Sequence, residues 1–216
     1  AVGTELDVGD VSAFGRCVAE ISEGMGSIDI LINNAGVMHI GPMEELTPDA
    51  ANRMVRVNWL GVLNGVHAVR PIMKSNGGGL IVNIASLVAR LPVAYGAAYS
   101  ATKSAVAGLT EALRLELHDE GIRFMGVYPG YVRTELTAGV PLPRFPKAVT
   151  PEQVARGLVR GIRRERASVY VPSTGRYLSL IRPFLPLRMA RFIGELTDTS
   201  DLFDRIDEGA RNEYRI

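Results

Sequence analysis

The sequence holds one cysteine, Cys17, so no disulfide can form within the chain. That points to a reducing, cytoplasmic setting. Cys17 falls in a helical pattern with Val11, Phe14, Val18 and Ile21 and reads as a small core residue rather than a nucleophile. No apolar run reaches the ~20 residues needed to span a bilayer, and the opening residues do not read as a signal peptide. Charge of one sign is also lacking. Lys and Arg number 24 against 23 Asp and Glu, a net charge of +1, which gives no electrostatic ground for binding nucleic acid. The histidines, His39, His67 and His118, are too scattered for metal-ligand spacing. What the chain does have is apolar content. Of its 216 residues 47% are hydrophobic, enough for the core of one domain.

That content is patterned. Residues 1–8 read as a short strand ending at Leu6-Asp7-Val8, with Asp10 as cap of a following helix that stops near Gly24 and Gly26. Residues 28–33 form a nearly continuous β-branched run, which suits a strand buried on both faces. The run ends in Asn33-Asn34-Ala35-Gly36, either an ordinary turn or a place where small residues let the backbone approach a ligand closely. Thr47-Pro48 opens a helix that continues over about 51–75 and contains Asn58 and Gly61, both poor helix formers. Asn58 is tolerated there at a cost or faces a site. Further strands are expected at 80–86, 123–128 and 168–172, with helices from Tyr99 to about Leu117 and over 151–164. This alternation predicts right-handed βαβ units and a parallel sheet. In such sheets ligands bind beyond the carboxyl ends of the strands. Asp7, the Asn33–Gly36 turn, Ser86 and Pro129-Gly130 all fall at those ends.

Tyr99 and Lys103 stand at i and i+4 of one predicted helix, so phenol and ammonium share a face. A nearby cation lowers a tyrosine pKa, ordinarily near ~10, towards values useful for proton transfer. Alone, that spacing is common and proves little. Together with Leu6-Asp7-Val8, Asn33-Asn34-Ala35-Gly36, Asn58, Ser86 and Pro129-Gly130 with Thr134, in this order and spacing, it resembles the short-chain dehydrogenase/reductase family over roughly residues 1–172.

The resemblance implies an α/β fold: a Rossmann-like, doubly wound parallel sheet in three α/β/α layers. It implies an NAD(P)-dependent oxidoreductase that interconverts a secondary alcohol and a ketone. The alternatives are a 3-oxoacyl-thioester reductase and a non-catalytic nucleotide-binding relative. Tyr99 would be the general acid/base. Lys103 would bind the nicotinamide ribose and lower the Tyr99 pKa, Ser86 would hydrogen-bond the substrate oxygen, and Asn58 would hold a water in a proton relay through Lys103. Asp7 and Val8 would contact adenine. Asn34, Ala35 and Gly36 would line the cofactor pocket, with Pro129, Gly130, Val132 and Thr134 around the nicotinamide. A homodimer or homotetramer is expected through the helix of Tyr99 and the long helix before Gly77.

The family also has an opening strand, a T-G-x-x-x-G-x-G turn, a helix and a second strand, and the residues before Asp7 show none of these. The chain is therefore expected to be an N-terminally incomplete domain, short of about forty residues by the size of a βαβ unit. The choice between NAD and NADP is left open. Residues 173–216 read as an extension. Its stretch 176–193 is apolar with regular arginines, broken by Pro183 and Pro186. Three readings stand side by side: a lid over a lipophilic substrate, a subunit contact, and peripheral membrane contact. The arginines of 156–166 read as a solvated helix face, and His39 as a possible border of the substrate pocket.

Overall fold

The computed structural model describes residues 1–141, 145, 147–186 and 188–189. Its helices are α1 (Val11–Met25), α2 (Pro48–Met54), α3 (Gly61–Ser75), α4 (Ala97–Glu116), α5 (Pro151–Arg163) and α6 (Thr174–Ile181). The strands are β1 (Ile30–Asn33), β2 (Gly79–Ile84), β3 (Ile122–Pro129) and β4 (Ser168–Val171). They form one parallel sheet in the order β1-β2-β3-β4, with Ile30 opposite Leu80, Gly79 opposite Ile122 and Gly126 opposite Ser168.

The period-2 alternation of strand side chains sorts the core into two faces. On one, Ile81 and Phe124 meet Phe14 and Val18 of α1 and Val66, Val69 and Met73 of α3, while Tyr128 meets Val106 and Ala107 of α4. On the other, Leu80, Val82, Met125 and Val127 pack with Val154, Leu158 and Ile162 of α5. The layers are therefore helix, sheet, helix, as expected for the α/β class. Caps fall where the sequence put them. Ala13 N–H donates to the Asp10 carboxylate (2.9 Å), and Ala50 N–H to Thr47 Oγ1 (3.2 Å).

Two strand expectations are corrected. Residues 1–8 form no strand: 1–7 lack regular structure and Val8-Gly9 is a turn. Among the described residues no neighbouring strand offers them a ladder, and a strand without a partner has nowhere to place its backbone hydrogen bonds. The segment is held by side chains instead. Leu6 and Val8 pack against the α1–α3 core, and Asn64 Nδ2 donates to Val8 O (2.9 Å). Nor is β1 buried on both faces, since Ile30 and Ile32 are each 44% exposed. They share the α5 face of the sheet, and no described helix reaches across to cover them.

The long helix also departs from expectation. Between α2 and α3 it widens into a π-helical turn, Val55–Leu60, that contains Asn58. Gly61 and Gly65 then sit one turn apart on α3. A Cβ at Gly61 would lie 2.8 Å from Val8 Cγ2, and one at Gly65 only 2.4 Å from Asn33 Oδ1. The weak helix formers are thus the points where Val8 and β1 approach the helix backbone.

A buried polar chain crosses the sheet. Asn33 Nδ2 donates to Asn83 Oδ1, and Asn83 Nδ2 to Thr110 Oγ1, both at 2.9 Å. Thr110 Oγ1 donates to Val106 O (2.7 Å). Replacing Thr110 with Val keeps the shape but strands a buried Asn83 amide proton. The expected loss is about 1–3 kcal/mol, read as a lower urea midpoint with unchanged slope. An unchanged midpoint would contradict this account of the chain.

Candidate active site

β2 delivers the backbone of Ile84 to the carboxyl edge of the sheet, and Ser86 follows two residues on. Ser86 is buried in extended backbone, with its Oγ accepting from Val88 N–H (3.3 Å). α4 begins at Ala97, so Tyr99 lies in its first turn and Lys103 one turn later. Both are buried. Lys103 Nζ donates to Ile84 O (2.9 Å) and lies 5.9 Å from the centre of the Tyr99 ring. Strand end and helix start are thereby tied together at the site.

Burial sets the titration of both groups. It pushes the Tyr99 phenol up to about 12, opposed by a hydrogen bond with Ser86. It pushes the Lys103 ammonium down to about 8. The expected lowering of Tyr99 by Lys103 does not set the value here. Each charged form loses its water, and the Lys103 ammonium is spent on the Ile84 carbonyl.

Asn58, fully buried, stands behind these residues. Its Oδ1 accepts from Val37 N–H (2.8 Å), and its Nδ2 donates to Val37 O (2.9 Å) and Thr102 Oγ1 (3.1 Å). Thr102 Oγ1 in turn donates to Tyr99 O (2.9 Å). One amide thus clasps the loop after β1 to the first turn of α4. The π-helical turn explains why an asparagine is accepted mid-helix: its side chain replaces backbone bonds with bonds to a neighbouring segment.

These residues border a cavity of about 1240 Å³. Asn34, Ala35, Gly36, Ser86, Tyr99, Lys103, Pro129, Gly130, Val132 and Thr134 line it. Asn58 lies behind the wall. Asp7 and Val8 do not line the cavity. Asp7 pairs with Arg56 (2.6 Å), a contact that holds its carboxyl below the usual range. Met38 and Ile40 reach the cavity, whereas His39 between them does not. Among the described residues no group of His, Cys, Asp or Glu is gathered as a metal site.

Sequence reasoning missed most of the apolar wall. Leu87, Leu91 and Val93 come from the loop after β2, Val154 and Leu158 from α5, and Leu178, Ile181 and Leu185 from α6 and the turn after it. The last three carry a helical spacing that was available as a signal. α6 is seated by Gly175, where a Cβ would come 3.0 Å from Leu87 Cδ1. The described part of the C-terminal stretch therefore walls the cavity, while its remainder, 190–193, lies outside the described residues. Among the described residues no helix is long and apolar enough to cross a membrane.

Comparison with known proteins follows the same outline. The 2,5-dichloro-2,5-cyclohexadiene-1,4-diol dehydrogenase of Sphingobium indicum is 38% identical over 141 residues, which cover 65% of this chain and 56% of that protein. The chain thus spans about half the length of several curated relatives that it matches. The ketoacyl reductase HetN of Nostoc sp. is 32% identical over 209 residues, 95% of this chain and 70% of its own length. Among solved structures, a short chain dehydrogenase from Burkholderia cenocepacia in complex with NADP aligns with a TM-score of 0.74 at 30% identity, covering 83% of this chain and 73% of the other. The model of the short chain dehydrogenase family matches residues 1–143, the part that carries β1 to β3 with Ser86, Tyr99 and Lys103, and the chain belongs to that family.

Proposed function

We propose that this chain carries the acid/base and substrate-binding part of an NAD(P)-dependent oxidoreductase that interconverts a secondary alcohol and a ketone on a lipophilic substrate. The observation that carries the reading is a buried serine hydroxyl and a buried phenol, with a buried ammonium one turn away, gathered on the wall of a largely apolar cavity.

The residues present fit the nicotinamide end of such a cofactor. A Cβ on Gly36 would lie 3.4 Å from Asn58 Oδ1 and 3.5 Å from Lys103 Nζ, so the bare backbone there keeps space open beside the ammonium. Lys103 would hold ribose hydroxyls in that space. Asn34, Ala35, Pro129, Gly130, Val132 and Thr134 would form its walls, and Asp7 with Val8 would meet the adenine. When bound, the coenzyme supplies or accepts the hydride.

The chain's own groups handle the oxygen. Ser86 Oγ donates to the substrate oxygen, and Tyr99 passes its proton to that oxygen as charge builds there, or takes it back from an alcohol. Burial keeps Tyr99 protonated at neutral pH, the state that reduction needs. Asn58 has both amide protons committed, which leaves one Oδ1 lone pair to accept from a relay water. A homodimer or homotetramer through α3 and α4 belongs to the same reading. A 3-oxoacyl thioester as substrate is the second reading, favoured by the ketoacyl reductase that matches 95% of the chain. Turnover of acyl thioesters against free ketones separates the two.

Tyr99→Phe should lower kcat by about 10²–10⁴-fold while leaving NADPH or NADH binding, followed by fluorescence titration, at the wild-type level. Near-normal kcat would refute the assignment, and coenzyme binding without turnover across a carbonyl panel would favour the non-catalytic reading. Lys103 gives a pH prediction. Its pKa in the fold, about 8, lies below the ordinary 10.5. Below about pH 8 the fold buries a charged ammonium. Between about 8 and 10.5 the unfolded chain holds the proton more tightly, so stability rises with pH. In Lys103→Met that slope disappears. Urea melts across this window should show wild type gaining roughly 3 kcal/mol on the variant, and a difference that stays constant with pH would contradict the assigned shift.

A further inference from the structure

α6 and the turn after it carry apolar side chains on two sides. Leu178, Ile181 and Leu185 line the cavity. Tyr177, Leu180 and Phe184, one helical turn apart, point outward at 67, 59 and 86% exposure, and Met189 is 52% exposed. Ile181 belongs to both sides, being 53% exposed as well as lining the cavity, so the outer stripe runs into the cavity's rim. At about 100° per residue, Arg176 falls beside this stripe, Arg182 falls on the opposite side with the cavity-lining residues, and Arg188 follows it. Arg176 and Arg188 are exposed, while Arg182 is half-buried at the rim. The sequence has no acidic residue from Arg166 to Met189.

We propose that this stripe is a docking surface for an anionic membrane. Arg176 and Arg188 pair with lipid headgroups, and Tyr177, Leu180 and Phe184 enter the boundary with the acyl chains. Aromatic and apolar side chains flanked by arginines suit that boundary, where one end of each group meets hydrocarbon and the other meets water. Anionic headgroups also answer a patch that pairs with no acidic side chain among the described residues. A second copy of the chain fits less well. A stable protein interface takes about 20–30 residues a side, and this stripe offers a handful. Two copies would also bring arginines towards arginines. The inference does not depend on the chemistry at Tyr99, although a lipophilic molecule leaving a bilayer would meet the cavity rim at Ile181.

Flotation of the full chain with vesicles of phosphatidylcholine, with and without phosphatidylglycerol, tests this. The chain should float with the phosphatidylglycerol vesicles, weakly with phosphatidylcholine alone, and be released in large part by about 1 M salt. Tyr177→Ser with Phe184→Ser should lower the bound fraction about tenfold or more. Arg176→Glu with Arg188→Glu should erase the preference for phosphatidylglycerol. All four side chains are exposed, so melting temperatures should stay at the wild-type value. The proposal is overturned if wild type ignores both vesicles, or if the serine pair floats as wild type does. It is also overturned if light scattering shows a dimer that the serine pair splits while flotation is unchanged.

Discussion

The hydrogen bond from Lys103 Nζ to Ile84 O (2.9 Å) fixes more of this molecule than any other contact. A buried ammonium must find an acceptor, and the acceptor it finds is the last residue of β2. α4 is thereby set in height and rotation over the sheet edge. The same face of α4 repeats the requirement. Thr102 meets Asn58, and Thr110 meets Asn83, which meets Asn33 in turn. Positions 99, 102, 103, 106, 107 and 110 follow the 3, 4, 7, 8, 11 progression of one helical stripe. In most helices that stripe would be apolar. Here half of it is polar, so the docking of α4 has to satisfy Thr102, Lys103 and Thr110 at once.

Such a seam has an electrostatic consequence. Desolvation shifts the two values in opposite directions, up to about 12 for the Tyr99 phenol and down to about 8 for the Lys103 ammonium. Both groups are thus biased towards their neutral forms, and the cost of charge at the site is high. A partner that brings hydroxyls to the ammonium, or an oxygen to the phenol, supplies part of the solvation that burial removed. The coupling between ligand and protonation state is strong because the empty pocket solvates either charge poorly.

How much of this was written in the sequence depends on range. The α/β class was legible because β-branched runs and helical periodicity are local, and the caps at Asp10 and Thr47 act within three residues. Ser86, Tyr99 and Lys103 were legible through their order and spacing. Residues 1–8 were misread because strand propensity says nothing of whether a neighbour is present to pair with. The π-helical turn was hidden for a related reason: Asn58 and Gly61 look like defects until Val37 and Val8 arrive from other segments. The polar chain from Asn33 to Asn83 to Thr110 spans 50 and 27 residues, too far for any local pattern. The cavity wall in α5 was equally out of reach, since which face of a helix meets a cavity is decided by tertiary packing, whereas a lid was one of three readings of the stretch that holds α6.

That division of range is also a division of labour. The groups that could move a proton are positioned by directional bonds to β2 and the π-helical turn. Each such bond, if left unmade in the interior, costs about 1–3 kcal/mol. The far wall is held differently. α6 meets the rest through Gly175 against Leu87, and Leu178, Ile181 and Leu185 reach the cavity with no polar atom to satisfy. An apolar contact changes by about 0.8 kcal/mol per methylene and has little directionality, so the wall can be reshaped in small steps while the seam cannot. On the proposed function, proton transfer and substrate choice are therefore mechanically separate. A substitution in α5 or α6 would then alter which molecule fits without moving Tyr99, whereas one in the stripe of α4 would disturb the site and the fold together.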